Sequence, residues 1–181
     1  ATPTAVAAGD LDDDGLTDIV VGLASGALRI YRGNGDLTTA PGGTVPIAGS
    51  RAIAFADLDR DGVEDLVVAA ERLCVAFGRA AGSPAPPVCY GAGLERNSLV
   101  LGDFNQDKKV DAATANGATG EISVFLGSGN GAFATETRYP AGGEPFDLRT
   151  ADVNLDGHPD LVVARRLWTS VTMLPGSVNG R

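Results

Sequence analysis

The stretch "GDLDDDGLTD", Gly9 to Asp18, places five acidic residues in ten positions. Crowding that much negative charge into one turn is costly unless something offsets it. The cluster then returns three times. "DLDDDGLTD" begins at Asp10, "DLDRDGVED" at Asp57, "DFNQDKKVD" at Asp103 and "DVNLDGHPD" at Asp152, so successive copies lie 47, 46 and 49 residues apart. Four copies at near-constant spacing are a structural repeat rather than chance clustering.

The flanks repeat as well. Each cluster follows a short apolar stretch ending in a small residue ("AVAAG", "AIAFA", "SLVLG", "LRTA") and precedes a run suited to a buried strand ("IVVGLA", "LVVAA", "AATA", "LVVA"). A third strand-like segment comes next: "ALRIYRG", "RLCVAFG", "EISVFLG" and "SVTMLPG". A fourth is suggested by "GTVPIAG", "PPVCYGAG" and "TETRYPAG". Short strands separated by turn residues predict an all-β chain. A repeat of this length carrying four strands has the size of one β-propeller blade. A β-sandwich with acidic turns has no reason to repeat its sequence. The expectation is a single domain over 1–181 with blades at about 1–49, 50–93, 94–142 and 143–181, the last lacking its outer strand.

Within each cluster the oxygen-bearing residues stand at relative positions one, three, five and nine. They are Asp10, Asp12, Asp14 and Asp18 in the first loop, and Asp57, Asp59, Asp61 and Asp65 in the second. The third has Asp103, Asn105, Asp107 and Asp111, and the fourth Asp152, Asn154, Asp156 and Asp160. Alternate residues of a curling loop can aim at one centre. Glycine at position six (Gly15, Gly62, Gly157) permits a turn with positive φ. That turn brings in the carbonyl of position seven, from Leu16, Val63, Lys109 or His158. Ca²⁺ takes six to eight hard oxygen ligands, and this arrangement supplies most of them. An EF-hand is excluded, because position twelve is Val21, Val68, Thr114 or Val163 rather than glutamate and the following residues are strand-like.

The alternative is that these carboxylates cap turns without metal. Nearby cations such as Arg60 could offset one such cluster, but four are harder to neutralise that way. The expectation is therefore three to four Ca²⁺ per chain. The third loop departs from the pattern, since Lys108 replaces the glycine and Lys109 follows it, and low affinity or no binding is expected there.

Bulk composition narrows the function classes. With 44% apolar and 20% charged residues the chain is not of disordered composition, and its 25 glycines fit a turn-rich fold. Net charge is −9 without any basic stripe, which argues against nucleic acid and anionic membranes as partners. Four Ca²⁺ would bring that charge to −1. Apolar runs of five or six residues are far short of a membrane span. No charged-then-apolar leader opens the sequence, so any targeting peptide is expected to lie outside it or to have been removed. Cys74 and Cys89 fit no zinc pattern, and His158 is the only histidine. The hairpin reading puts the two cysteines on neighbouring strands, which favours a disulfide over two free thiols and so an oxidising compartment.

The pattern "GDLDDDGLTDIVVG", "ISVFLGSGNGAF", "TRYPAG" resembles the FG-GAP/VCBS repeat family, which includes the calcium-binding blades of integrin alpha-subunit propellers and many secreted proteins. The resemblance covers essentially the whole chain in four copies. It implies a β-propeller with a calcium loop between the first two strands of each blade. It also implies that the metal is structural, that proteins or sugars bind on other loops, and that the protein is extracellular or at a cell surface, secreted or periplasmic. Family members often carry seven blades. The sequence is thus a fragment of a longer chain, a half-propeller completed by self-association, or a small closed ring.

No catalytic constellation is found. The only histidine lies inside an acidic loop, and serines such as Ser50 and Ser98 have no histidine partner. Glu71, Glu95, Glu121, Glu136 and Glu144 lie outside the loops without a spacing that pairs them. The expectation is a non-catalytic binding or adhesion module for a protein or glycan ligand. The alternatives are a polysaccharide-processing enzyme, its accessory carbohydrate-binding domain, or a structural spacer of a larger surface protein. Trp168 with Arg165 and Arg166, and Tyr90 with Arg96, are candidate contacts; packing between blades is an equal reading of Trp168.

Overall fold

The computed structural model describes residues 1–80, 82–91, 96–166 and 171–176, with the backbone alone at residue 96. The chain forms fifteen strands among these residues, gathered in four antiparallel sheets. Blade 1 holds β1 (Pro3–Gly9), β2 (Asp18–Leu23), β3 (Leu28–Gly33) and β4 (Thr39–Val45). Blade 2 holds β5 (Ala52–Ala56), β6 (Asp65–Ala69), β7 (Leu73–Ala76) and β8 (Val88–Tyr90). Blade 3 holds β9 (Arg96–Gly102), β10 (Asp111–Asn116), β11 (Glu121–Phe125) and β12 (Thr137–Pro140). Blade 4 holds β13 (Pro145–Ala151), β14 (Asp160–Arg165) and β15 (Val171–Leu174). Each sheet is a meander in chain order. Among the described residues no helix is long and apolar enough to cross a membrane.

The first strands β1, β5, β9 and β13 lie side by side in that order, and β13 makes no comparable approach to β1. The row is an open arc, a partial β-propeller. Apolar side chains fill the three spaces between neighbouring blades. Val20, Leu28 and Ile30 of blade 1 meet Leu66, Val68 and Cys74 of blade 2. Val67, Leu73 and Val75 of blade 2 meet Ala112, Phe125 and Phe133 of blade 3. Ala113, Ala115 and Ile122 of blade 3 meet Leu148, Leu161 and Val163 of blade 4. The middle blades are therefore buried on both faces, and their runs "DLVVA" and "DAATAN" show no apolar–polar alternation.

The strands follow the sequence reading closely. The outer strand of blade 1 is displaced towards the N-terminus, starting at Thr39 and ending at Val45. A register shift between Ile30 and Tyr31 bulges Gly42 out of the pairing, beside Gly43 at φ 101°. Cys74 and Cys89 face each other across β7 and β8 and form a disulfide.

The third segment of every repeat ends in glycine, at Gly33, Gly78, Gly127 and Gly176. A Cβ there would lie 2.2, 2.2, 2.1 and 2.4 Å from the carbonyl oxygens of Thr17, Glu64, Val110 and Pro159, at position eight of the loops. The repeat needs a residue without a side chain because the loop backbone rests directly on the strand end. Gly78→Ala is expected to lower stability by about 1–3 kcal/mol through overpacking, as measured by urea unfolding.

Candidate metal centre

Each acidic loop is built by its own carboxylates. The position-one aspartate accepts from the N–H of position five with one oxygen and of position six with the other. The distances are 3.2 and 2.9 Å at Asp10, 3.2 and 3.1 Å at Asp57, 3.0 and 2.8 Å at Asp103, and 3.1 and 2.9 Å at Asp152. The position-five aspartates Asp14, Asp61, Asp107 and Asp156 accept from the N–H of position seven at 2.8–3.0 Å. These bonds fix the peptides of Leu16, Val63, Lys109 and His158, the residues expected to present carbonyls. At position three, Asp59, Asn105 and Asn154 accept from the N–H of position five.

Two left-handed residues make the curl. Position six is expected from the sequence, with φ of 81°, 91° and 85° at Gly15, Gly62 and Gly157. Position four is not expected: Asp13, Arg60, Gln106 and Leu155 all have φ between 56° and 65°. Four different residue types stand there, so no composition signal marks the position. Lys108 keeps the position-six geometry at φ 66° despite its side chain, a conformation that costs an L-residue about 1 kcal/mol.

The position-nine aspartate has a role the sequence reading missed. Asp18, Asp65, Asp111 and Asp160 are buried, and each clasps two backbone segments. One oxygen accepts from the N–H of position two (Leu11 3.3 Å, Leu58 2.9 Å, Phe104 2.9 Å, Val153 2.9 Å). The other accepts from the strand-ending glycine (Gly33 3.1 Å, Gly78 2.9 Å, Gly127 2.7 Å, Gly176 2.9 Å). The recurring Asp at position nine and Gly at the strand end were the legible signal, had they been read as a pair.

Burial and charge then separate the loops. Burial pushes the Asp65 carboxyl up to about 6, against its two N–H bonds, and Asp59 and Asp61 add to the rise. Burial also raises Asp111. In blade 4 the N–H bonds from Gly176 and Val153 hold Asp160 below the usual range. Asp12 is raised by burial first; Arg32 opposes this, while Asp18, Asp14 and Asp10 reinforce it.

Arg60, the cation that the metal-free alternative would use, does not turn to the carboxylates of its own loop. Its left-handed backbone sends the guanidinium to the Lys108 carbonyl of the third loop. Arg32 takes that part in the first loop, in contact with Asp18 and 3.3 Å from Asp12. Lys109 does so in the third, with Nζ 2.9 Å from Asp107, which lowers that carboxyl.

The donor set suits a hard cation best in the first two loops. Oxygens of Asp10, Asp12 and Asp18 lie within 4.8 Å of one another, as do those of Asp57, Asp59 and Asp61. Asp12 Oδ1 is buried without a hydrogen-bond partner, the kind of orphaned acceptor that a cation would satisfy.

Other candidates resolve differently. Tyr90 packs edge-on against Phe133 at 5.6 Å, between blades 2 and 3. Arg166 sits over Phe146 at 5.9 Å. Trp168, Glu95 and the Arg96 side chain lie outside the described residues. Glu121 and Glu136 converge on Arg138, at 3.8 and 2.6 Å.

The profile of the FG-GAP-like repeat matches residues 2–68 and 103–163, most of the chain. The protein belongs to the FG-GAP-like repeat family. Among solved structures this FG-GAP chain is similar to BBS1N in its complex with ARL6DN, at 16% identity and TM-score 0.62, over 97% of this chain and 55% of that one. It is also similar to an Agrocybe aegerita lectin solved for its recognition of non-reducing terminal N-acetylglucosamine, at 17% identity and TM-score 0.61, over 96% and 50%. A third is the Photorhabdus luminescens Tc holotoxin pore, at 21% identity and TM-score 0.53, over 92% and 9%. At these identities the likeness is one of fold. The chain spans about half the length of the first solved structures it matches. No curated protein sequence matches it.

Two predictions follow from the loop geometry. Lys108→Gly is expected to raise the stability of the chelated protein by about 1 kcal/mol in urea unfolding, by relieving the left-handed lysine. In metal-free protein the Asp65 carboxyl carbon should titrate near pH 6 by NMR. Because the folded value exceeds the unfolded one, this group favours folding below about pH 4, and that contribution is lost as pH rises through 6. A midpoint near 4 would contradict the burial argument.

Proposed function

We propose that this FG-GAP chain is a calcium-stabilised, non-catalytic binding module of the cell exterior, with a protein or glycan as ligand. Two observations carry the calcium reading: one carboxylate oxygen each of Asp10, Asp12 and Asp18 lie within 4.8 Å of one another, and Asp12 Oδ1 is buried without a partner. The ligands would come from positions one, three, five and nine together with the position-seven carbonyl. Bound Ca²⁺ supplies charge neutralisation to a loop that otherwise holds several carboxylates together. It would strengthen the turn that seats β1 on β2, and its counterparts in the other blades. Asp12, raised by burial first and then by the neighbouring aspartates, would gain a counter-charge.

In the third loop the Lys109 ammonium competes with a cation for Asp107, and Lys108 adds positive charge nearby. That loop is assigned the weakest site, giving three to four Ca²⁺ per chain. The Cys74–Cys89 disulfide supports an oxidising compartment. The binding role is supported by similar folds that engage a protein (BBS1N with ARL6DN) and a sugar (the Agrocybe aegerita lectin). Inter-strand loops on a repeat scaffold offer an adjustable surface for such ligands. The net charge of −9 leaves nucleic acid and membrane insertion out of the proposal.

The test is thermal melting of chelated protein during Ca²⁺ addition, with bound metal counted by elemental analysis. Each site held at 100 times its dissociation constant should add about 2.7 kcal/mol. Three bound ions, rising to four in Lys108→Gly, would support the assignment loop by loop. No bound metal and no rise in melting temperature would overturn it.

A further inference from the structure

The residue before the strand-ending glycine sets blade 1 apart. It is Phe77, Leu126 and Pro175 in blades 2, 3 and 4, but Arg32 in blade 1. The fold makes a path for this side chain. The bulge between β3 and β4 leaves Gly42 unpaired, and a Cβ there would come within 3.0 Å of Arg32 Cγ and 3.2 Å of its Nε. The Arg32 stem therefore crosses the bulge through room that a side chain at residue 42 would fill.

Three groups then hold the guanidinium. Nη1 touches the Asp18 carboxylate and lies 3.3 Å from Asp12 Oδ2. Nη2 donates to the Gly82 carbonyl of blade 2 at 2.7 Å. The Asp18 side chain is fully buried, and those of Arg32 and Asp12 are each only 15% exposed. Away from water such a charge pair is strong. The same two carboxylates belong to the oxygen set that would hold Ca²⁺ in the first loop. Arg32 takes one oxygen of each, while Asp12 Oδ1 stays buried and unpartnered. One cup thus offers its carboxylates to two cations, one tethered and one diffusible. Like charges at such close quarters exclude each other.

The bond to Gly82 carries this competition into blade 2. Gly82 lies in the connection from β7 to β8, and residues 82–87 belong to no strand. Pro84, Pro86 and Pro87 have no N–H to donate, so the backbone of this segment has few means of attachment. The Ala85 N–H reaches the Phe77 carbonyl at 2.8 Å, and the Gly82 N–H reaches Arg79 at 3.0 Å, both within blade 2. Arg32 ties the segment to blade 1.

We propose that Arg32 is a tethered counter-cation that exchanges with Ca²⁺. It fills the first loop when the ion is absent, and it leaves both that loop and the Gly82 carbonyl when the ion is bound. Loading the first loop thereby unties the β7–β8 connection of the neighbouring blade. The proposal rests on the calcium reading above and deepens it. It gives the first loop, whose sequence pattern is complete, a weaker apparent affinity than the second. A guanidinium that holds the loop for about nine-tenths of the time lowers that affinity about tenfold.

The experiment is an NMR titration of chelated protein with Ca²⁺. The Gly15 amide reports the first loop, the Gly62 amide the second, and the Gly82 carbonyl carbon the tie. In the unsubstituted chain the Gly82 signal should move in step with Gly15 and not with Gly62. Arg32→Met keeps the stem and removes the charge. It should tighten the Gly15 constant about tenfold, leave the Gly62 constant unchanged, and place the Gly82 signal at its calcium-loaded position before any ion is added. An unchanged or weaker Gly15 constant in Arg32→Met would overturn the proposal. So would a Gly82 signal in the unsubstituted chain that ignores the loading of the first loop, a result that decides alone if the variant does not fold. Silence at Gly15 in both proteins while Gly62 responds would sink this proposal and leave the calcium reading standing. Silence at every loop would remove both.

Discussion

A buried aspartate at the ninth place of each loop holds the blade together. One of its oxygens accepts the N–H at the start of the loop, and the other accepts the N–H of the glycine that ends the third strand. Three consecutive strands and the turn between two of them are joined through one carboxylate. Such charge-assisted bonds are among the stronger ones in a protein, and leaving two buried N–H groups without a partner costs about 1–3 kcal/mol each. The glycine follows from the same constraint. The loop carbonyl approaches so closely that no Cβ fits at Gly33, Gly78, Gly127 or Gly176. Aspartate and glycine, 13 to 16 residues apart, form one structural unit.

That unit fixes where the remaining carboxylates point. The position-one and position-five aspartates complete the curl by accepting the loop's own N–H groups, with left-handed residues at positions four and six. The result is a cup of acidic oxygens at one end of every blade. What differs among the cups is how their charge is met. Arg32 leans into the first and Lys109 into the third; among the described residues no ion pair meets the second, where Asp65 is raised to about 6. Adjacent cups are also tied to each other, because Arg60 and Gln106 donate to the next loop. The loops therefore belong to the junctions between blades as much as to the blades themselves.

Much of this was legible in the chain. The period and the strand order follow from four copies of one pattern, and the Cys74–Cys89 pairing follows from placing both on one hairpin. Three features were not legible, each for a physical reason. Position four is left-handed in Asp13, Arg60, Gln106 and Leu155, residues with no shared backbone preference, so the neighbours impose that conformation. Arg32 is fourteen residues from Asp18, on the neighbouring strand, and only the pairing of β2 with β3 brings it to the loop. Arg60 looked like a local counter-ion by proximity in sequence, yet its side chain crosses to the next blade. Local pattern shows which residues recur, whereas tertiary register decides what each of them touches.

The most direct test of the account compares two aspartates of the second loop, Asp59 and Asp65, by urea unfolding in chelator. If the position-nine carboxylate is a structural clasp, Asp65→Ala should lower stability by about 2–5 kcal/mol without any metal present. Asp59→Ala should change it by well under 1 kcal/mol under the same conditions, because Asp59 makes a single long bond to the Asp61 N–H at the surface. Equal and small losses for both would contradict the clasp and leave the loops without the interaction on which the blades are argued to depend.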